Sequence, residues 1–549
     1  MILIKVLYSI VQRIKMTSLF YNGGTILYLR PDGGGGIQYS TDQSSWTTIS
    51  SWPVTLTNTN TSLGWLQVQF STDITFTSSN QYFACGSDYI QFGAAQISAS
   101  SANRPTITVT AINYTGLIMN GEQSNNGYSN IRVYNLIVDG SGGTLKAGNT
   151  SDQGGGWVAH NYFSKGATQN FIVNCSSIGD IPDYCGGIVG RDSASVTLIG
   201  CSSVGDIGAE AGGIVGANAN GTIVKECYTS GSISQDGAGG IVGSNTINAT
   251  VENCYSSGII SGNNAGGIIG SNAGAGAVTI TACYSLGSIL GANAGGICGS
   301  FGAITGTTYT ITITNCYTLG NLNNTFATLC GGISGPIILF GGSANVIISH
   351  CYTVGTTALA SDYIIGNVSA INGFGSGYVL SNNYSEAGSL GGTAGTWSTN
   401  HANTTLTTGW ISTTPNQPFE LINMGYTPYI LAIISNNALI RTYAATITKG
   451  QSSISAIVSG QSYAILSGNH ASITINSTSG VISTTSSTPA TTYAILIRNT
   501  TNSGGYSIST VNLTVVAPPA PPLTPVIQLP LRNGWRQFTF RVFAGNYLV

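Results

Sequence analysis

Short runs of alternating apolar and polar residues recur along the middle of this chain, and none of its segments sustains a helical period. Alternation with period two predicts strands with one buried face. The runs share an aliphatic position, occupied by Ile172, Leu198, Val224, Val251, Ile280, Ile313 and Ile348. Three residues after each stands a cysteine: Cys175, Cys201, Cys227, Cys254, Cys283, Cys316 and Cys351, at successive intervals of 26, 26, 27, 29, 33 and 35 residues. An eighth unit keeps its tyrosine, Tyr384, but has Asn383 in place of cysteine. Each unit also carries Gly-Gly-Ile-x-Gly, beginning at Gly186, Gly212, Gly239, Gly266, Gly295 and Gly331. The next unit departs, with Asp362 and Tyr363 where the paired glycines stood.

Strands at this spacing, punctuated by Gly and Asn, predict one coil per unit, each stacked on the last. A single coil cannot bury its own apolar face, whereas a stack can. Parallel pairing at about 4.8 Å sets like residues above like. It predicts one internal ladder of the seven cysteines and another of Ile188, Ile214, Ile241, Ile268 and Ile297. Glycine permits the tight corners and positive φ that such coils need. The expected fold class is all-β: a right-handed parallel β-helix over residues 65–385, most regular from 170 to 385, followed by a small Ig-like β-sandwich.

The flanks lack the repeat. Residues 1–16 read as an N-terminal extension and 17–64 as a β cap that blunts the open sheet edge. Residues 386–438, with Trp397, Trp410, Pro415, Pro418 and Pro428, read as a C-terminal cap. Over 439–517, short β-rich runs and the turn at Asn476–Ser483 predict an Ig-like or cadherin-like sandwich. It lacks the Asp-x-Asp clusters of calcium-binding cadherins. Residues 518–530 form a proline-rich linker, and 531–549 an aromatic and basic tail containing Trp535, Phe538, Phe540 and Phe543 among Arg532, Arg536 and Arg541.

Composition narrows the function. Only 6% of residues are charged, against about 25% in ordinary globular proteins. Solubility therefore rests on hydroxyls and amides. A hydrophobic share of 42% argues against disorder. Net charge is −2 with no basic stripe, which argues against nucleic-acid binding. Met1–Phe20 is apolar but broken by Lys5, Arg13 and Lys15. It reads as an amphipathic extension, with a secretion signal as the alternative although no A-x-A-like site follows. Met16 is a second candidate start. No run reaches the ~20 apolar residues of a membrane span, so no integral membrane segment is expected.

The eleven cysteines invite a disulfide or metal reading. In-register neighbours aim their Cβ atoms alongside one another, which disfavours disulfides. C-x-x-C pairs are absent, which disfavours a metal column. The ladder reads as buried small hydrophobes, with no cofactor. An odd cysteine count and a reduced ladder suit folding in a reducing compartment, as in a viral host cell.

The pairing of Gly-Gly-Ile-Val-Gly with Asn-Cys-Tyr-Ser-x-Gly resembles the GLUG-motif repeat. That family occurs in bacterial surface proteins and adhesins and beside some immunoglobulin-cleaving proteases, and similar repeats occur in large DNA viruses of amoebae. The resemblance covers residues 170–385. It implies a scaffold at a virion or cell surface and brings no catalytic residue with it. Residues 65–165, with the alternating Thr106–Thr110 and Ile131–Val138, resemble the less regular coils of pectin-lyase-like proteins.

β-Helices often cleave acidic polysaccharides, so an enzyme is the alternative reading. Asp180 and Asp206 hold the same place on adjacent coils, five residues after Cys175 and Cys201, with Asp183 and Glu210 nearby. These are the candidates for a hydrolase pair, Asp180 with Asp206, or for a calcium site formed by all four. The column continues as Ser232, Ile259, Ser288, Asn321 and Thr356, so the acids are not sustained. The histidines His160, His350, His401 and His470 show no metal-ligand spacing. The expectation is a structural or adhesive protein, not an enzyme, contacting copies of itself in an oligomer or layer, and glycans.

Overall fold

A computed structural model describes residues 24–59, 64–94, 104–148, 153–272, 276–303, 308–318, 320, 322, 330–339, 343–349 and 351–353. Further on it describes 378–381, 383–385, 392–394, 410–411, 420–421, 442–448, 462–467, 472–479, 481–500 and 506–516. His350, His401, His470, Asn321, Thr356 and the segments 1–16, 518–530 and 531–549 lie outside the described residues. The chain divides into two compact units, Met1–Arg441 with Thr500–Ser507, and Thr442–Asn499 with Ile508–Val549.

The first unit is all-β among the described residues, a solenoid-like stack of parallel strands in long sheets. In each regular coil a strand such as Val196–Ile199 is followed by a shorter one, Ser202–Ser203. The first kind pairs coil to coil into a sheet in which Ile172, Leu198, Val224, Val251, Ile280, Ile313 and Ile348 are successive partners. The second kind forms a parallel sheet through Ser176, Ser202, Tyr228, Tyr255, Tyr284 and Tyr317, extended by backbone pairing to Tyr352 and Tyr384. A third row is made of single bridges: Gly186, Gly212, Gly239, Gly266, Gly295 and Gly331 pair in series.

The coil turns through residues in the left-handed region. The position before each cysteine holds Asn135, Asn174, Gly200, Glu226, Asn253, Ala282 and Asn315 in successive coils, all at φ between 51° and 63°. (In the first of these coils Leu136 stands where cysteine stands later.) Asn and Gly tolerate this conformation and other L-residues resist it, which accounts for the Asn-Cys dipeptide of the repeat. The paired glycines answer a different demand. A Cβ on Gly239 would lie 1.9 Å from the Val242 carbonyl oxygen, and one on Gly240 2.0 Å from that of Gly267. These backbones approach too closely for any side chain.

The core is one continuous apolar cluster running the length of the stack, from Leu29 and Ile37 to Ile348 and Cys351. At the N-terminal end Gly24–Pro31 pairs parallel with Trp65–Phe70 and antiparallel with Ile37–Ser40. The outermost strand of that sheet, Thr47–Thr48, is two residues long and exposed. Turning to antiparallel pairing and shrinking the last strand limits the free edge open to another chain.

In the second unit Thr442–Thr448, Tyr506–Val516, Thr492–Thr500 and Ser462–Ser467 form a four-stranded sheet in that order, with the first two parallel. Ile473–Ile475 and Ile482–Thr484 form a hairpin, its turn closed by Asn476 Oδ1 accepting from the Thr478 and Ser479 amides. Ile447, Ile473, Ile482, Ile495, Leu513 and Val515 make its core. No helix among the described residues is long and apolar enough to cross a membrane.

Candidate functional site

The thiol ladder is fully buried: Cys175, Cys201, Cys227, Cys254, Cys283, Cys316 and Cys351 have no exposed surface, and all eleven cysteines are free thiols. Their role extends beyond filling space. The left-handed corner turns each cysteine's own N–H out of the ladder of backbone bonds. The Cys201 N–H donates to Cys227 Sγ at 3.3 Å, Cys227 to Cys254 Sγ at 3.4 Å, and Cys254 to Cys283 Sγ at 3.5 Å. The thiols of Cys201, Cys254 and Cys283 in turn donate to the Ile172, Val224 and Val251 carbonyls of the preceding coil. Burial pushes the thiols of Cys175, Cys227, Cys254, Cys283 and Cys316 well up, so they stay protonated. A protonated, enclosed thiol is neither nucleophile nor metal ligand.

Ile188, Ile214, Ile241, Ile268 and Ile297 are likewise fully buried. Each donates its backbone N–H to the carbonyl of the isoleucine in the next coil, at 2.9–3.0 Å from Ile188 through Ile268. Outside the thiols, Tyr228, Tyr255, Tyr284 and Tyr317 stack with ring centroids 4.9 Å apart and planes within 2° of parallel. The spacing is that of the coils. The residue after the ladder cysteine is serine at Ser176 and Ser202 and tyrosine from Tyr228 onward, and the stacking of the rings is a feature that the repeat spacing does not announce.

The acidic candidates occupy one corner of the coils around residues 180–245. Asp180 and Asp206 are both exposed, and the pairing of Ile181 with Ile207 keeps them in register. Asp206 Oδ1 accepts from the Ser232 amide at 3.0 Å. Asp183 Oδ1 accepts from the Ala209 amide at 2.8 Å. Glu210 is held at φ 56°, and its carboxylate accepts from Tyr184 Oη, Ser244 Oγ and Asn245 Nδ2 at 3.1, 2.8 and 3.2 Å. The Glu210 charge raises the Tyr184 phenol, with burial second. Asp183, Asp206 and Glu210 thus each serve as acceptor for a neighbouring coil. The four acids do not converge: among the described residues no group of three or more His, Cys, Asp or Glu could hold a metal ion.

Two basic groups are buried, His160, which shows no metal-ligand spacing in the sequence, and Arg104, which no sequence signal marks. His160 is 5% exposed, with its Nε2 2.9 Å from the Gly116 carbonyl and 3.2 Å from Thr115 Oγ1, and its ring 4.5 Å from that of Tyr82. Burial lowers its pKa to about 4. Arg104 is 9% exposed and donates from Nη2 to the Leu136 carbonyl and to Ser176 Oγ. Neither residue belongs to a repeat, which is why no periodic signal marks it. No family model matches this sequence, and neither the curated proteins nor the solved structures contain a significant match to it.

Proposed function

We propose that this chain is a structural or adhesive repeat protein of a virion or cell surface, whose solenoid presents a long uncharged flank to copies of itself and to glycans. The observation that carries the reading is the distribution of charge. Residues 253–361 contain no Asp, Glu, Lys or Arg at all. Over this stretch the outward positions of the longer strands include half-buried Thr279, Thr281, Thr310, Thr312 and Thr314, with Ala277, Asn345 and Ile347 in the same parallel register. Identical neutral surfaces meet without like-charge repulsion, and a surface without net charge favours association. Repetition multiplies weak contacts into a stable one.

The finer assignments rest on the same footing. A right-handed coil is the hand that parallel crossover connections take. GLUG membership is supported by the paired-glycine and Asn-Cys-Tyr elements, and an Ig-like second unit by its sheet, its hairpin and its own small core. The test is assembly of the purified full chain, followed by sedimentation velocity and negative-stain microscopy over a range of concentrations. Ordered oligomers or sheets that grow with concentration are expected. A monodisperse monomer at all concentrations, with no retention on immobilised glycans, overturns the proposal.

A further inference from the structure

His160 joins three coils on the side of the solenoid where backbone pairing is thinnest. There Val54–Leu56, Phe83–Cys85 and Ile118–Met119 form a parallel sheet on successive coils. From Ile118 onward the row continues through single bridges, first to Ala159 and then to Val189. The Ile118 N–H donates to the Val158 carbonyl and the His160 N–H to the Ile118 carbonyl, both at 3.0 Å. The other two rows cross the same junction as paired strands, Ile90–Gly93 with Ile131–Tyr134 and Thr106–Thr108 with Ile137–Asp139.

The imidazole supplies what this row lacks. Gly116 lies at φ 135°, and a Cβ there would fall 2.6 Å from the Gly156 carbonyl oxygen, so the position stays bare. The ring bonds to the Gly116 carbonyl and reaches the ring of Tyr82, two coils from its own. A carbonyl only accepts, so Nε2 carries the proton of the neutral ring. A second proton would be a buried charge without a counter-charge. Neither ion pair among the described residues involves His160. Of the charged groups on the surrounding elements, Arg191 pairs with Asp192, Glu122 accepts from Asn125 Nδ2, and Lys165 donates to the Glu122 and Gln123 carbonyls. The other titratable neighbours, Tyr82 and Tyr162, are phenols.

We propose that this junction is an acid-operated seam: protonation of His160 parts the Gly116–Met119 and Gly156–His160 segments while the strand-paired rows and the regular coils stay closed. The stability of a stack is a sum of contacts between neighbours, so one junction can open by itself. Opening bares backbone N–H and C=O groups on two coils, the groups with which another strand pairs.

The experiment is amide hydrogen exchange of the full chain at pH 7.5 and pH 5, corrected for the intrinsic pH dependence of exchange. The ring takes its proton at about 4 when enclosed and at 6.5 ordinarily, so opening should become about 30-fold more favourable at the lower pH. Peptides covering 114–119 and 156–163 are expected to lose protection by that factor, and those covering 223–285 to keep theirs. His160→Gln retains an N–H for the Gly116 carbonyl and cannot be charged, so it is expected to abolish the difference. Should that variant fail to fold, the wild type decides: protection must fall several-fold per pH unit from pH 6 to pH 4.5, in those two segments alone. Equal protection at both pH values, a loss spread over the regular coils, or an undiminished loss in His160→Gln overturns the proposal.

Discussion

At the scale of single residues, backbone conformation decides more than side-chain chemistry. Ala282 sits at φ 56° in a column otherwise made of Asn, Gly and one Glu. An L-residue without a local hydrogen bond gives up about 1–2 kcal/mol in that region, partly offset in glycine by the entropy of the unfolded chain. Ala282→Gly should therefore stabilise the solenoid by roughly 0.5–1 kcal/mol, read as a higher denaturant midpoint with unchanged slope. A lower midpoint would mean that the corner is not strained. His160 adds a pH dependence. Its pKa stands at about 4 when folded against 6.5 ordinarily, so the unfolded chain binds the extra proton between those values. Stability is full above pH 6.5 and falls as pH drops toward 4, by on the order of 3 kcal/mol from this group. His160→Gln should flatten that part of the profile; an equally steep loss in the variant would assign it to other groups.

At the scale of elements, the repeat is legible because each coil must solve the same steric problem. The close approaches at Gly239 and Gly240 admit no Cβ, and the left-handed corner selects Asn or Gly, so these residues recur whatever else varies. The all-β class and the parallel stacking could be read from that recurrence. What could not be read is anything that depends on contacts between unlike positions. The enclosure of Arg104, the turning of Asp183 and Glu210 toward neighbouring coils, and the amide-to-sulfur bonds all depend on which atoms face each other across coils. The sequence treats cysteine there as a small hydrophobe, whereas Cys227 is also the acceptor for the Cys201 N–H. Cys227→Val keeps the bulk and removes the acceptor. It should cost about 1–3 kcal/mol, the penalty of a buried unpaired N–H, measured by chemical unfolding; a neutral result would reduce the thiol to filler. Val251→Asp is the harsher test. Val251 has no exposed surface and pairs with Val224 and Ile280, so an unpaired carboxylate there costs several kcal/mol. Loss of soluble protein is expected, and normal expression with unchanged melting would place this column outside the core.

At the scale of the whole molecule, the solenoid is uneven in charge. Residues 180–252 hold Asp180, Asp183, Asp192, Asp206, Glu210, Glu226, Asp236 and Glu252 against Arg191 and Lys225, and the next 109 residues hold no charge of either sign. Acidic coils repel their own kind, and neutral coils do not. Association between copies is therefore expected to run along the neutral coils and to have a distinctive salt response. Screening acts on charges within about 10 Å at moderate ionic strength. Contacts made by threonine and aliphatic side chains offer it nothing to screen, so assembly should persist unchanged as sodium chloride rises. Thr279 and Thr312 are direct partners on adjacent strands of this flank, both half-buried. Replacing both by lysine sets two like charges one strand spacing apart, on every copy. Within a monomer the cost is small, about 1 kcal/mol or less for a directly opposed exposed pair. At an interface the same lysines face their equivalents on the partner and must be stripped of water, which costs several times more. Thr279→Lys with Thr312→Lys should leave the melting temperature close to that of the wild type and abolish concentration-dependent assembly, with partial recovery at high salt. Assembly undiminished in this double variant would move the contact to another face of the solenoid.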